Sequence, residues 1–169
     1  MPKIIENLEL KLLDEARKQI EEHGYSSMTI RSVASACNVG VGTVYNYFQS
    51  KDELVATYML KDWTECISQI QMVSTVSYTQ KPVLQCIYEQ LCAYAKCHQS
   101  LFQDPTASSN FAGSFSQYHS LLRQQLANPL RKFCRDSFHA EFIAEAILTW
   151  TMEQKSFDEI YDVLKKLFL

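Results

Sequence analysis

Between Thr29 and Lys51 the chain reads TIRSVASACNVGVGTVYNYFQSK, and few folds accommodate that stretch. Ile30, Val33, Ala34 and Cys37 recur at helical spacing and give one short helix a small, close-packing face, with Thr29 as its N-cap candidate. Asn38 falls where a sharp turn between helices needs positive φ, which Asn tolerates better than any residue but Gly. With Gly40 as the next N-cap, Val39 takes N′ and Val44 takes N4, the two positions of a hydrophobic staple. Phe48 continues the buried side, and Gly42, Thr43, Asn46 and Tyr47 are left facing outward. Two short helices held at a fixed angle, the second with a neutral-polar outer face, predict a helix-turn-helix, the arrangement that presents side chains to the major groove of DNA.

Whole-chain charge argues the other way. The net charge is −3, and through residue 60 six cations (Lys3, Lys11, Arg17, Lys18, Arg31 and Lys51) face eight carboxylates. The distribution matters more than the sum: from Gly24 to Lys51 there is no carboxylate, and Arg31 and Lys51 are the only charges. Both are counted as DNA-facing candidates.

At 169 residues and 47% hydrophobic content the chain can bury one good core or two small ones. No apolar run approaches the ~20 residues that span a bilayer, and the charged N-terminus MPKIIENLELK lacks a signal peptide's apolar stretch, so a cytoplasmic protein without a membrane partner is expected. The six cysteines contain no CxxC, and Cys86 and Cys97, on one face of a helix, would stand about 16 Å apart. They are read as small buried apolar residues rather than a disulfide framework.

The rest of the pattern is helical, with nothing that reads as a strand. Ile5, Leu8, Leu12, Ala16 and Ile20 make one stripe, closed at Gly24. Ser50 and Glu53 form a capping box opening a long helix to about Ser74, with Lys51 and the first backbone amides as a phosphate site tempered by Asp52 and Glu53. Thr79 caps a fifth helix whose stripe is Leu84, Ile87, Leu91 and Tyr94, with Tyr88 beside it, and a break follows at Asp104-Pro105. Residues 105 to 122 carry no charge and include Gly113; a mobile loop is expected there before a helix to about Asp136. Phe142, Ile143, Ala146, Ile147 and Trp150 cover more than one helical face, and after a second capping box, Ser156 with Glu159, comes the stripe Ile160, Val163, Leu164 and Leu167. So much apolar width predicts a two-helix dimer face that forms a four-helix bundle with a second copy.

Through residue 51 the chain resembles the TetR family of transcriptional regulators. The family's pattern is an Ile-Ala pair, a Gly at the turn, Val-Ser, Gly-Thr-Leu-Tyr, an aromatic pair and a Lys. Here the corresponding run is Val33-Ala34, Asn38, Val39-Gly40, Gly42-Thr43-Val44-Tyr45, Tyr47-Phe48 and Lys51. The resemblance implies an all-α fold, with a three-helix helix-turn-helix domain over residues 1–50 joined by a long helix to a helical dimerisation and ligand-binding domain over 51–169. It implies phosphate or groove contacts from Thr43, Tyr45, Tyr47 and Lys51, and a phosphate contact from Thr29. Val41 stands where the family carries a polar residue and could touch a thymine methyl; Asn46 is the side chain suited to bidentate readout of adenine.

The expected function is that of a homodimeric repressor on a near-palindromic double-stranded DNA operator, released by a hydrophobic or aromatic small molecule. Trp63, Tyr88, Tyr94, Phe102, Phe111 and Tyr118 are the candidate pocket residues. The competing reading is a ligand or redox sensor of the same fold that does not bind DNA. An enzyme is not expected: the four glycines make no phosphate loop, the histidines are isolated, and no cofactor or metal site is indicated.

Overall fold

The computed structural model describes residues 7–168 and, within them, all side chains but those of 111–117. Ile5 and the side chain of Phe111 lie outside the described set. Nine helices cover most of the described residues: α1 (Leu8–His23), α2 (Ile30–Ala36), α3 (Val41–Tyr45), α4 (Lys51–Val76), α5 (Gln80–Cys97), α6 (Gln99–Phe102), α7 (Pro105–Ala127), α8 (Ser137–Met152) and α9 (Phe157–Leu164). Short 3-10 segments follow α7, at Asn128–Phe133, and α9, at Lys165–Phe168. There is no strand among the described residues, and none of the helices is long and apolar enough to cross a membrane.

The chain divides into two compact units. The first runs through Asp62 and takes back His98–Gly113; the second comprises Trp63–Cys97 and Ser114–Leu169. This differs from a boundary at residue 50, because the first half of α4 buries Leu54, Val55 and Tyr58 in the same core as α1.

In the first unit α1 contributes Leu12, Leu13, Ala16 and Ile20, α2 contributes Val33 and Ala34, and Val44 and Phe48 complete the side facing them. Leu101 of α6 and Ala107 of α7 close the same core. Gly24 donates the last helical N–H of α1 to the Ile20 carbonyl at 2.9 Å, and its φ of 82°, which favours glycine, turns the chain out of the helix.

In the second unit α5, α8 and α9 pack around Val83, Leu84, Ile87, Leu91, Ile143, Ile147, Ile160 and Leu164, with Leu126 and Leu130 beneath them. This divides the apolar face expected for dimerisation. Ile143, Ile147, Ile160 and Leu164 are core residues of the single chain, and Ala146 and Leu167 are half-buried against them. Phe142, Trp150 and Val163 remain outside, 53%, 50% and 62% exposed. One helix carries two apolar stripes here, and only one is consumed by its own fold.

The stretch 105–122 is helical from its first residue, where a loop was expected. The physical reason is a cap: Asp104 accepts the N–H groups of Thr106 (2.9 Å) and Ala107 (3.1 Å), and Pro105 occupies the first helical position, where its missing N–H costs nothing. Poor helix formers such as Ser and Gly are then carried by burial of Ala107 at one end and of Leu126 and Ala127 at the other.

The cysteines are also less uniform than expected. Cys66 is buried, Cys37, Cys86 and Cys134 are half-buried, and Cys92 and Cys97 are exposed, because they lie off the Leu84–Ile87–Leu91 stripe of α5. None of the six forms a disulfide.

Candidate nucleic-acid interface

The turn between α2 and α3 is built as its residues require. Asn38 adopts φ 55° and donates its N–H to Ser35, and the Val39 N–H reaches the Ala34 carbonyl at 3.0 Å. Gly40, in an extended conformation, caps α3 with its carbonyl, which accepts from Thr43 at 2.9 Å. Val44 is buried and Val39 half-buried in the same cluster, the arrangement a staple makes. At the other end Thr29 accepts the Ser32 N–H, and Ser32 Oγ accepts the Thr29 N–H, both at 3.0 Å. The reciprocal partner is a serine rather than Glu or Gln, so the box lacks its usual sequence signature.

On this frame Gly42, Tyr45, Asn46 and Tyr47 are exposed and Thr43 is partly so. Arg31 is exposed in the first turn of α2. Val41 divides its side chain between surface and core, being half-buried against the first cluster. Gly42 has no conformational need to be glycine: a Cβ built there meets no atom within 4 Å. Asn46 and Tyr47 follow the last residue of α3, and the Phe48 N–H returns to the Val44 carbonyl at 3.0 Å, so the turn continues under them.

Lys51 is held by a residue that the sequence pattern did not single out. Its ammonium donates to the Tyr25 carbonyl and stands 3.9 Å above the Tyr25 ring centroid. Burial lowers the Lys51 pKa from its ordinary value, against the opposing pull of Asp52 and Asp104. The Tyr25 hydroxyl donates to Asp52 and accepts from the Asn110 side chain at 3.1 Å; burial first, then Asp52, pushes the phenol up to about 12. A buried tyrosine in the α1–α2 connection was the available signal.

The start of α4 is less open to phosphate than expected. Ser50 Oγ accepts the Glu53 N–H at 3.1 Å, but the Glu53 carboxylate accepts from Gln49 at 2.5 Å instead of from Ser50, shifting the box by one residue. Of the amides at the start of α4, that of Glu53 is thus engaged by Ser50, and the Glu53 carboxylate stands at the Gln49 N–H just before the helix.

The aromatic candidates do not form one set. Trp63 is buried, its indole N–H donating to Gln125 Oε1 at 2.6 Å and its ring meeting Tyr94 edge-on at 5.5 Å. Tyr88 packs on Phe157 at 5.6 Å, Tyr118 is exposed, and Phe102 belongs to the first unit, where its ring lies 6.2 Å from that of His98.

Comparison with known proteins agrees with this geometry. Residues 12–58 match the bacterial regulatory proteins of the tetR family. The Escherichia coli (strain K12) HTH-type transcriptional regulator UidR is 24% identical over 83 residues, which is 47% of this chain and 42% of UidR. The chain thus aligns with less than half the length of that curated relative. A transcriptional regulator from Aquifex aeolicus VF5 superposes over 94% of this chain and 95% of its own, with TM-score 0.67 and 18% identity. The fatty acid degradation regulator FadR from Bacillus halodurans covers 95% and 92%, with TM-score 0.56 and 21% identity. At these identities the likeness is one of fold.

Proposed function

We propose that this chain, whose residues 12–58 form a DNA-binding domain of the tetR family, is a dimeric transcriptional regulator that inserts α3 into the major groove of a near-palindromic operator and is released by a small apolar or aromatic ligand. The observation that carries the reading is the outer face of α3. Gly42 leaves bare backbone where its own fold would accept a Cβ, Thr43, Asn46 and Tyr47 flank it, and no carboxylate occurs between Gly24 and Lys51. A flat, neutral, hydrogen-bonding surface allows a duplex to approach closely, and Asn46 supplies the amide that can pair with adenine N6 and N7. Thr29, Arg31, Tyr45 and Lys51 are the phosphate-side candidates.

Two copies would set their α3 helices ~34 Å apart on one side of the duplex. The surface suited to joining them is the outer stripe of α8 and α9: Phe142, Trp150 and Val163, together with the exposed Phe138, whose ring lies 6.4 Å from that of Phe142. For the ligand, Trp63 and Tyr94 offer aromatic edges, and Gln125 a polar handle now used by the Trp63 indole.

Selection of duplexes from a random pool, followed by gel-shift titration across salt, tests the proposal. Specific binding with a shallow salt slope is expected, because each phosphate neutralised contributes roughly −0.9 to that slope and few cations are available. Failure to enrich any duplex would sink it. The competing sensor that does not bind DNA draws on the acidic balance through residue 60. A redox version of it would draw on the exposed Cys92 and Cys97, since burial pushes the thiols of Cys37, Cys86 and Cys134 up and away from the reactive thiolate.

A further inference from the structure

Asp104 is far in sequence from the helix-turn-helix, yet its carboxylate joins two tasks. It caps α7 through the N–H groups of Thr106 and Ala107, and it accepts from Ser26 in the α1–α2 connection, from the N–H at 3.3 Å and the hydroxyl at 3.2 Å. Ser26 Oγ also reaches Thr106 Oγ1 at 3.4 Å. The residue before Ser26 is Tyr25, whose carbonyl and ring hold the Lys51 ammonium, and Asn110, one turn further along α7, donates to the Tyr25 hydroxyl. The start of α7 therefore grips the Tyr25–Ser26 dipeptide at both residues.

We propose that Asp104 is a positioning residue for DNA binding: by tying the α7 N-terminus to Ser26 it fixes Tyr25, and through Tyr25 it fixes the Lys51 ammonium in the orientation that meets a phosphate. This rests on the reading of Lys51 as a phosphate contact. A lysine ammonium has three donors and a flexible stem, so its use for a phosphate depends on how much of its freedom is already removed. The Tyr25 carbonyl takes one donor and the ring covers one side, so part of that freedom is already removed.

Simple electrostatics predicts the opposite sign. A carboxylate near Lys51 repels phosphate, so removing its charge alone should tighten binding. The distinguishing variants are therefore Asp104→Ala, which removes charge and cap together, and Asp104→Asn, which removes the charge, keeps one oxygen to accept from the α7 amides, and puts an NH2 in place of Oδ2 that can hold Ser26 by donating to its Oγ.

Two measurements on the full chain decide the matter. The first is acylation of Lys51 by an amine-reactive ester in the free protein, read by mass spectrometry against Lys61 and Lys155 in the same sample. The second is the affinity for a duplex taken from the random-pool selection, across salt. The expected result is faster Lys51 acylation in Asp104→Ala than in Asp104→Asn, with duplex affinity lowered roughly fivefold in the alanine variant and recovered in the asparagine variant. The salt slope should fall by close to one unit in Asp104→Ala, and the loss should vanish in a Lys51→Ala background. Equal Lys51 reactivity in all three proteins, or an undiminished Asp104→Ala effect on top of Lys51→Ala, overturns the positioning role while leaving DNA binding intact. A shifted Lys51 reactivity in a chain that retains no duplex overturns instead the phosphate as the partner of Lys51.

Discussion

Nε2 of His98 lies 3.1 Å from Oδ2 of Asp62, whose other oxygen is paired with Arg17 of α1, and the His98 ring is stacked on Tyr58 with centroids 5.6 Å apart. With His98 only 2% exposed, burial lowers its pKa below the usual 6.5; the Asp62 carboxylate pulls the other way and Arg17 adds to the lowering. The fold therefore favours the neutral imidazole, and the unfolded chain binds its proton more readily. Stability from this site is fully present above the unfolded value of about 6.5 and is lost as pH falls from there through the depressed folded value. Thermal melts between about pH 7.5 and 5.5 should show the parent chain losing more Tm than His98→Gln, which cannot take up the proton. Parallel pH profiles for the two proteins would refute the assignment.

Asn38 sets the angle between α2 and α3 at φ 55°. Asn38→Gly should hold or raise stability, and Asn38→Ala should lower it by about 1 kcal/mol, the cost of placing a Cβ in the left-handed region. Urea midpoints with unchanged m-values measure this. An alanine variant as stable as the parent would show that the turn relaxes to another conformation.

Gly42 separates folding from binding. A methyl group at this position would meet open space, and the backbone there is ordinary helix, so Gly42→Ala should stabilise the chain by up to roughly 1 kcal/mol. The same methyl group, on the face proposed to approach bases, should weaken duplex binding. Denaturation and gel-shift titration of the same sample give both signs. A variant that is both more stable and equally tight would remove α3 from the interface.

Phe142 and Trp150 carry the dimer prediction. Phe142→Arg should leave the fold intact and yield a monomer by light scattering, since its side chain is outside the core. Acrylamide quenching of Trp150 emission in a Trp63→Phe background should be weak in the parent and strong in the Phe142→Arg version. Quenching that is strong in both would place the association elsewhere.

Local chemistry makes the helix-turn-helix readable from the chain alone. Thr29, Asn38, Gly40 and the Val39–Val44 pair each act over about five residues or fewer, through capping, backbone sterics and a staple, and the structure places every one as the pattern implied. The Ser156–Glu159 box belongs to the same class. Asp104-Pro105 did too: an acceptor followed by proline at the first helical position is a helix start, and the polar, small-residue run behind it obscured that signal.

What the sequence by itself determined is a helical chain with a helix-turn-helix between Thr29 and Lys51, because capping, turn geometry and apolar periodicity are short-range and written in neighbouring residues. Only the tertiary structure decided which of two apolar stripes on α8 is spent on the core, that Lys51 is held by Tyr25, and that Asp104 reaches back to Ser26. Those facts depend on which distant segments meet. Periodicity reports that a face is apolar, and charge reports that a side chain wants a partner, but neither carries the identity of what arrives from 26 or 78 residues away.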